Sequence, residues 1–337
     1  MAPSAKEHHR SKSLLLLQKL LNLRDSPLTL IVDNLEQTAA PLLKEFAARA
    51  RISKSKVVFV SFTTFKKPAY ADVFVPAWGR SLTSLCPLIT AHFPVLDKAA
   101  VKAKSQPRAI VVIDSINAFI SAHPDALGPF LSSIILPTSS LLAIHHADTP
   151  VLLPPHHCEY TPHPLTLLTH LATAILRLSP LAHDLAIHAA RNRALADPVF
   201  GLSAEKEGVL LSLRRPHDPR GVVIAMELRR KSGRQVAETF FMVDRPAGDP
   251  RRAAGLAALG LLADHPAFAK PVDEGADKED GPQSTFSLGL TEKQRRDREE
   301  IVLPYFDAQT DVGGGEGGRI LYDMGREDDF DDEEDEI

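Results

Sequence analysis

The residues that would bind a phosphate group are missing from the place where an α/β protein usually keeps them. A phosphate-binding loop needs glycines, whose unhindered backbone N–H groups wrap the phosphate, and a lysine that reaches the outer oxygens. The first strand-like apolar run, Leu28–Val32, is followed instead by the segment 33–38 (DNLEQT), which has two carboxylates and neither glycine nor lysine. Gly79 and Gly128 are the only glycines before residue 150, so neither common phosphate-binding motif exists there.

One acidic strand end offers the other half of a nucleotide site. Asp114 follows the apolar run Ala109–Ile113, at the position where an ATPase holds Mg²⁺. Without a phosphate loop this carboxylate has no phosphate to share the metal with. We therefore expect it to accept backbone hydrogen bonds at the end of its strand. An ATPase with a non-standard phosphate site, in which Asp114 binds Mg²⁺, remains the alternative.

Imidazole and thiolate groups, which are zinc ligands, cluster further along the chain. They belong to His145, His146, His156, His157, Cys158 and His163. Adjacent histidines point in different directions on most backbones, and the intervening prolines are typical of an irregular loop. Cys86, the only other cysteine, lies near no motif of nucleophilic catalysis. We predict no metal, no cofactor and no catalytic residue.

Basic residues between 214 and 234 form the stronger functional pattern, because clustered Arg and Lys are what a phosphate backbone requires. The cluster comprises Arg214, Arg215, Arg220, Arg229, Arg230, Lys231 and Arg234. If the runs Val222–Arg229 and Gln235–Val243 pair as a hairpin, four of these side chains gather at its tip, where Gly233 suits a positive φ. We predict contact with RNA phosphates there; a solvated turn or a protein contact is the alternative.

The elements that must position these residues alternate between strand and helix patterns, which predicts a mostly parallel α/β sheet. Strands are predicted at 28–32, 56–62, 72–75, 109–113 and 140–145, and helices at 11–24, 36–50, 81–89, 96–104, 117–123 and 126–135. The segment 166–178 reads as a helix in its first half and as a helix or a strand in its second. The strands 28–32 and 109–113 are expected to be adjacent at the centre of the sheet.

The second half of the chain has a different pattern. Three runs, 209–214, 222–229 and 235–243, predict an antiparallel meander at one edge of the sheet, and 251–263 predicts a helix. We divide the chain into an N-terminal arm and helix (1–25), an α/β domain (26–245), a linker (246–283) and a docking segment with an acidic tail (284–337). In this last part Phe286, Leu288 and Leu290 form an apolar island that docks on a partner or on the protein itself.

Amino-acid composition and charge exclude several classes of protein. Of the 337 residues 44% are hydrophobic and 24% are charged, which excludes collagen, coiled coil and disorder of the whole chain. From Asp323 onwards there are ten acids and one base, so the rest of the chain carries a net charge of +5, which an anionic partner would tolerate. No apolar run reaches the roughly 18 residues of a membrane span. We expect a soluble protein of a reducing compartment, the cytoplasm, with the nucleus as an open alternative.

Several segments together resemble the Elongator complex protein 5 family in its fungal form. They are SLLLLQKLLNLRDSPLTLIVDNLEQ, AIVVIDSINAF, ELRRKSGRQVAETF, STFSLGLTEKQRRDREEIVLPYFDAQ and GGRILYDMGREDDFDDEEDEI, which run from residue 13 to residue 337. The block that begins STFSLGLTEKQR, followed by an acidic terminus, is the most specific of them.

The resemblance implies a RecA-like ATPase fold that has lost its phosphate loop. It implies a hexameric ring with the fourth and sixth Elongator subunits, in two copies each, that binds tRNA and attaches to the catalytic subcomplex. Elongator modifies the wobble uridine U34, with the chemistry in its third subunit, so this chain is expected to be non-catalytic. The alternatives are the ATPase described above and an adaptor whose working part is the segment 284–306.

Overall fold

The computed structural model describes residues 5–23, 26–94, 108–155, 158, 160–201, 221–230, 232–246 and 248–268. The described helices are α1 (Ala5–Leu21), α2 (Ala40–Ile52), α3 (Leu82–Thr90), α4 (Ile116–Ala122), α5 (Leu127–Ile134), α6 (Pro164–Leu171), α7 (Leu181–Asn192) and α8 (Pro250–Ala253). Short 3₁₀ turns lie at Pro124–Ala126 and Leu262–Asp264. The described strands are β1 (Leu28–Asp33), β2 (Lys56–Ser61), β3 (Val73–Pro76), β4 (Ala109–Ile113), β5 (Ser139–His146), β6 (Ala174–Pro180), β7 (Val222–Arg229), β8 (Gln235–Val243) and β9 (Ala258–Leu261).

The nine strands form one sheet in the order β3-β2-β4-β5-β1-β6-β7-β8-β9. The six strands from β3 to β6 are parallel, and β7, β8 and β9 extend the sheet in antiparallel fashion from β6. This confirms the predicted fold class, a mostly parallel α/β sheet enlarged by antiparallel strands. The RecA-like architecture implied by the resemblance is of this kind.

Helices cover both faces of the parallel part, which explains why its strands are continuous apolar runs rather than alternating ones. All five residues of β4 are buried. On one face Ile31 and Val112 pack in a cluster with Leu17 of α1 and Phe46 of α2. On the other face the strands pack against the helices α3 to α6, with Phe119 among the fully buried side chains.

Two positional expectations are wrong. β1 and β4 are not adjacent, because β5 lies between them and pairs with both. A crossover helix lets consecutive strands land apart in a parallel sheet, so strand order does not follow from the runs themselves. The helix expected over 251–263 is also wrong in its second half, where β9 pairs with β8.

The hairpin of the predicted meander is confirmed, since β7 pairs with β8 over its whole length. The strand that completes the antiparallel part, β9, lies within the segment predicted to be a linker, whereas the predicted strand 209–214 lies outside the described residues. The second half of 166–178 is the strand β6, and α7 was not predicted. The helix 96–104 and the whole of 269–337 also lie outside the described residues.

Candidate functional site

The six parallel strands end at one edge of the sheet, called here the carboxyl edge, which is where α/β proteins usually bind ligands. Asp33 ends β1, His146 ends β5, and Asp114 directly follows β4. The carboxyl edge therefore brings together Asp114, the start of the glycine-free segment 33–38 and one of the clustered histidines. What these side chains contact decides whether the edge is open to a ligand.

Three backbone N–H groups of the loop between β1 and α2 donate to side chains of the protein. The N–H of Ala39, at the start of α2, donates to Oδ2 of Asp33 at 2.9 Å. The N–H of Gln37 donates to Oδ1 of Asn34 at 2.7 Å, and the N–H of Leu35 donates to the carboxylate of Asp148. In a phosphate-binding loop these groups would be free for the ligand. Here a phosphate would have to displace carboxylates, which repel it.

The other oxygen of Asp33 is also engaged. Nδ1 of His146 lies 2.6 Å from Oδ1 of Asp33. This hydrogen bond, which outweighs the opposing effect of burial, raises the pKa of His146 above its ordinary value. Asn117 holds the same strand end, because its Oδ1 accepts the N–H of His146 while its Nδ2 donates to the carbonyls of His146 and Thr149, each at 2.9 Å.

Asp114 is saturated with donors from the loop that follows β2. Its oxygens accept the backbone N–H groups of Phe62, Thr63 and Thr64 at 2.7–3.0 Å, and the hydroxyls of Ser61 and Thr63 at 3.0 Å. Burial alone would raise the pKa of Asp114, but these hydrogen bonds outweigh it and lower the pKa. The expectation of a strand-end carboxylate that accepts backbone hydrogen bonds is confirmed.

The histidines near this edge have separate roles. His145 is buried, and its Nδ1 has no hydrogen-bond partner among the described residues. Desolvation by burial, together with the neighbouring His146, lowers the pKa of His145. His163 caps α6 by accepting the N–H of Leu165 at 3.2 Å. In the described part of the chain no three His, Cys, Asp or Glu side chains are grouped to hold a metal ion. His156 and His157 lie outside the described residues.

The basic hairpin lies at the opposite edge of the sheet, where the parallel strands begin. Leu228 pairs with Ala174, the first residue of β6. The turn is closed by the N–H of Arg230, which donates to the carbonyl of Arg234 at 2.9 Å, and Gly233 has the expected positive φ of +79°. The hairpin tip is therefore far from the place where a nucleotide would be sought.

The predicted RNA-binding residues of the hairpin differ in their surroundings. Arg229 points back into the protein: Nη1 donates to the carbonyls of Thr169 and His170 at 2.7 and 3.0 Å, and Nη2 donates to Glu227 at 3.1 Å. Arg234 is exposed. Arg230 is half-buried, and its Nε has no hydrogen-bond acceptor among the described residues. Arg214, Arg215, Arg220, Lys231, Phe286, Leu288 and Leu290 lie outside the described residues.

Sequence patterns did not single out an aromatic pair at the carboxyl edge. Phe65 and Trp78 follow β2 and β3, and their ring centroids are 6.0 Å apart. Their side chains are 81% and 50% exposed. The available signal was the basic residues beside each ring in the segments FKK and WGR. The pairing itself depends on β2 and β3 being neighbours, which only the fold shows.

The chain thus belongs to a class of α/β sheet proteins in which the loop after the first strand donates backbone N–H groups to side chains of the protein itself rather than to a phosphate. No described helix has the length and apolar character needed to cross a membrane. The family model for Elongator subunit Iki1 matches residues 16–323, and the chain belongs to that family.

Two relatives carry the name Elongator complex protein 5. The one from Schizosaccharomyces pombe is 30% identical over 335 residues, which covers 94% of this chain and 96% of the relative. The one from Saccharomyces cerevisiae is 28% identical over 334 residues, which covers 95% of each. These matches confirm the resemblance found in the sequence.

Two solved structures align with part of this chain. The flagellar accessory protein FlaH from Methanocaldococcus jannaschii aligns with 70% of this chain and 89% of its own, at 12% identity and a TM-score of 0.36. The RadB recombinase aligns with 64% of this chain and 88% of its own, at 14% identity and a TM-score of 0.36.

Proposed function

We propose that this chain is a non-catalytic subunit of Elongator that forms a hexameric ring with the fourth and sixth subunits. The ring binds tRNA, attaches to the catalytic subcomplex and supports modification of the wobble uridine U34. It works in the cytoplasm, with a nuclear pool as the alternative. Family membership supports the assignment to Elongator.

One observation carries the non-catalytic role: the backbone donors of the β1–α2 loop already serve Asp33, Asn34 and Asp148. An active ATPase leaves such donors free for phosphate and keeps an acidic strand end for Mg²⁺. In this chain Asp114 already accepts five hydrogen bonds, four at Oδ2 and one at Oδ1. The ATPase alternative would require both sets of hydrogen bonds to break before substrate could bind.

The contribution to tRNA binding comes from the tip of the β7–β8 hairpin. Arg230, Arg234 and Lys231 supply the positive charge, whereas Arg229 has an anchoring role because its guanidinium is bound to α6 and Glu227. Glu227 also pairs with Arg177 at 3.4 Å, so this carboxylate does not offset the charge at the tip. A guanidinium at the end of α6 is favourable in itself, since it meets the negative end of the helix dipole.

Reconstitution of the full chain with the fourth and sixth Elongator subunits tests this function. The expected result is one stable species in size-exclusion chromatography that contains all three proteins and binds tRNA. A chain that elutes alone from this mixture contradicts the proposal. Deletion of 284–337 separates the adaptor alternative: assembly that is lost while the fold remains intact would assign partner binding to that segment.

A further inference from the structure

The loops after β2 and β3 form a preorganised surface. Asp114 fixes the first loop by accepting three of its N–H groups, and the N–H of Ala77 donates to the carbonyl of Ser61 at 2.7 Å, which ties the two loops together. The second loop is a tight turn, closed by the N–H of Arg80 donating to the carbonyl of Ala77 at 3.2 Å. Gly79, at a φ of +71°, occupies the third position of this turn and leaves Trp78 at its corner.

This bracing presents the rings of Phe65 and Trp78 to solvent, although burial would stabilise both. Trp78 is the only tryptophan of the chain. A large exposed aromatic pair on a rigid support is unusual for a surface without a partner. Unlike the scattered exposed side chains elsewhere, these two rings contact each other across two loops.

The exposed charges that adjoin the two rings in sequence are basic. Lys66, Lys67 and Arg80 are exposed, and the segments 61–71 and 77–84 contain no acidic residue. Lys67 Nζ also donates to the carbonyl of Asp72 at 2.6 Å, which holds this ammonium beside the loop. The nearest acid in sequence, Asp72, uses its carboxylate to accept the N–H of Val57 at 2.7 Å.

We infer that Phe65 and Trp78, with Lys66, Lys67 and Arg80, bind an unpaired nucleotide of RNA by stacking its base and neutralising the adjacent phosphates. Stacking on an aromatic ring requires a base outside a duplex, and the cations track the backbone. Aromatic residues and arginine are also common in protein–protein interfaces, but lysine is depleted there, and two of the three cations of this surface are lysines. The site lies at the carboxyl edge, whereas the hairpin lies at the opposite edge. It is therefore a second surface, additional to the one in the proposed function.

In this arrangement Asp114 is a positioning residue. The carboxylate occupies the place where an ATPase binds Mg²⁺, and it holds instead the loop that carries Phe65. It contacts no ligand in this role. Its loss would loosen the aromatic pair and so weaken RNA binding without removing any group that touches RNA.

Trp78 reports on its own site, because it is the only tryptophan in the full-length chain. Titration with a single-stranded oligouridylate of about eight nucleotides is expected to quench its fluorescence to saturation, and less so as salt is raised. A duplex RNA of the same length should quench it much less. Absence of quenching, or equal quenching by the duplex, overturns the inference.

Variants make the test specific. Phe65→Ala is expected to weaken oligouridylate binding about 5- to 150-fold, the range found for loss of one base–aromatic stack. Lys66→Glu with Arg80→Glu should also weaken it, and both sites are exposed enough for the fold to survive. Tyr160→Ala and Lys19→Glu, which remove an exposed ring and an exposed charge elsewhere, should leave it unchanged.

Two further outcomes separate this site from the proposed function. Arg230→Glu with Arg234→Glu should leave the Trp78 signal intact; loss of the signal would mean that it reports on RNA bound at the hairpin and would overturn the inference. If Phe65→Ala abolishes assembly with the fourth and sixth subunits but leaves oligouridylate binding unchanged, the surface is a protein interface and the inference is wrong.

Discussion

His146 and Asp33, the last residues of two neighbouring parallel strands, are joined by a 2.6 Å hydrogen bond between Nδ1 and Oδ1. The two residues are partners in the register of β1 and β5, so the bond closes the carboxyl edge at the centre of the sheet. The second oxygen of Asp33 accepts the N–H of Ala39 at the start of α2. The carboxylate of Asp33 thus hydrogen-bonds both to a side chain of the neighbouring strand and to a backbone N–H at the start of α2, the helix end that a phosphate would otherwise approach.

This bond makes stability depend on pH in a defined direction. The hydrogen bond to Asp33 raises the pKa of His146 above the ordinary value of 6.5. The stabilisation is therefore complete below about pH 6.5 and is lost as pH rises through the raised pKa. An NMR titration should show this pKa above 6.5 in the wild type and lower in Asp33→Asn, with Asp244→Asn as the control. A pKa of His146 that does not fall in Asp33→Asn contradicts the assignment.

Asp114→Asn is expected to destabilise the protein by about 1–3 kcal/mol, because the new amide group would face backbone donors that the carboxylate now accepts. Chemical denaturation measures the loss. Asp244→Asn, at an exposed position, should change stability by less than about 0.5 kcal/mol. Equal stability of Asp114→Asn and the wild type would show that the loop after β2 does not depend on this carboxylate.

Gly221, which directly precedes β7, has a backbone conformation that favours glycine and no room for a side chain. Its φ is +124°, and an added Cβ would lie 2.5 Å from the carbonyl oxygen of Met242. Gly221→Ala should therefore cost at least about 2 kcal/mol of unfolding free energy. Gly128→Ala, in the helix α5 with open space around the new Cβ, should be neutral or stabilising by up to about 1 kcal/mol. Comparable stability of the two variants would refute the strain argument.

Comparison of Arg229→Ala with Arg234→Ala should distinguish an arginine that stabilises the fold from one that is free to bind RNA. Arg229→Ala removes hydrogen bonds to Thr169, His170 and Glu227, so thermal unfolding should show a loss of about 1–3 kcal/mol. Arg234→Ala, at an exposed position, should lose less than about 0.5 kcal/mol. Similar losses in the two variants would remove the distinction.

Charge reversal at the tip tests the RNA role in the assembled ring. Arg230→Glu with Arg234→Glu should weaken tRNA binding and reduce the slope of log affinity against log salt by about two units, because two phosphate contacts are lost. Lys12→Glu with Lys19→Glu, at two exposed positions of α1, controls for the same change in net charge. An unaltered slope would make the tip a solvated turn.

The elements of the parallel sheet were predictable because burial on both faces requires continuous apolar runs, as in β1, β2, β4 and β5. The order of the strands in the sheet was not predictable, since nothing in the run Ser139–His146 indicates that this strand lies between β1 and β4. The strand β9 was missed because its sequence, ALGL, has no β-branched residue and follows a helical pattern. In the hairpin, Gly233 and the strand pairing followed from local turn chemistry.

The sequence predicted which phosphate-binding residues the site lacks, but not which residues occupy it. The missing glycines showed that segment 33–38 could not wrap a phosphate, but they did not show what fills the space. The partners of Asp33 and Leu35 are His146 and Asp148, more than a hundred residues away along the chain. The inward direction of Arg229 likewise depends on where α6 ends.

Calorimetric titration of the purified full-length chain with Mg²⁺ and ATP asks whether the protein's own side chains occupy the phosphate position. We expect no binding heat, and no change in the pKa of His146, at nucleotide concentrations that saturate ordinary ATPases. Stoichiometric binding by the chain alone, accompanied by loss of the bond between Asp33 and His146, would contradict it.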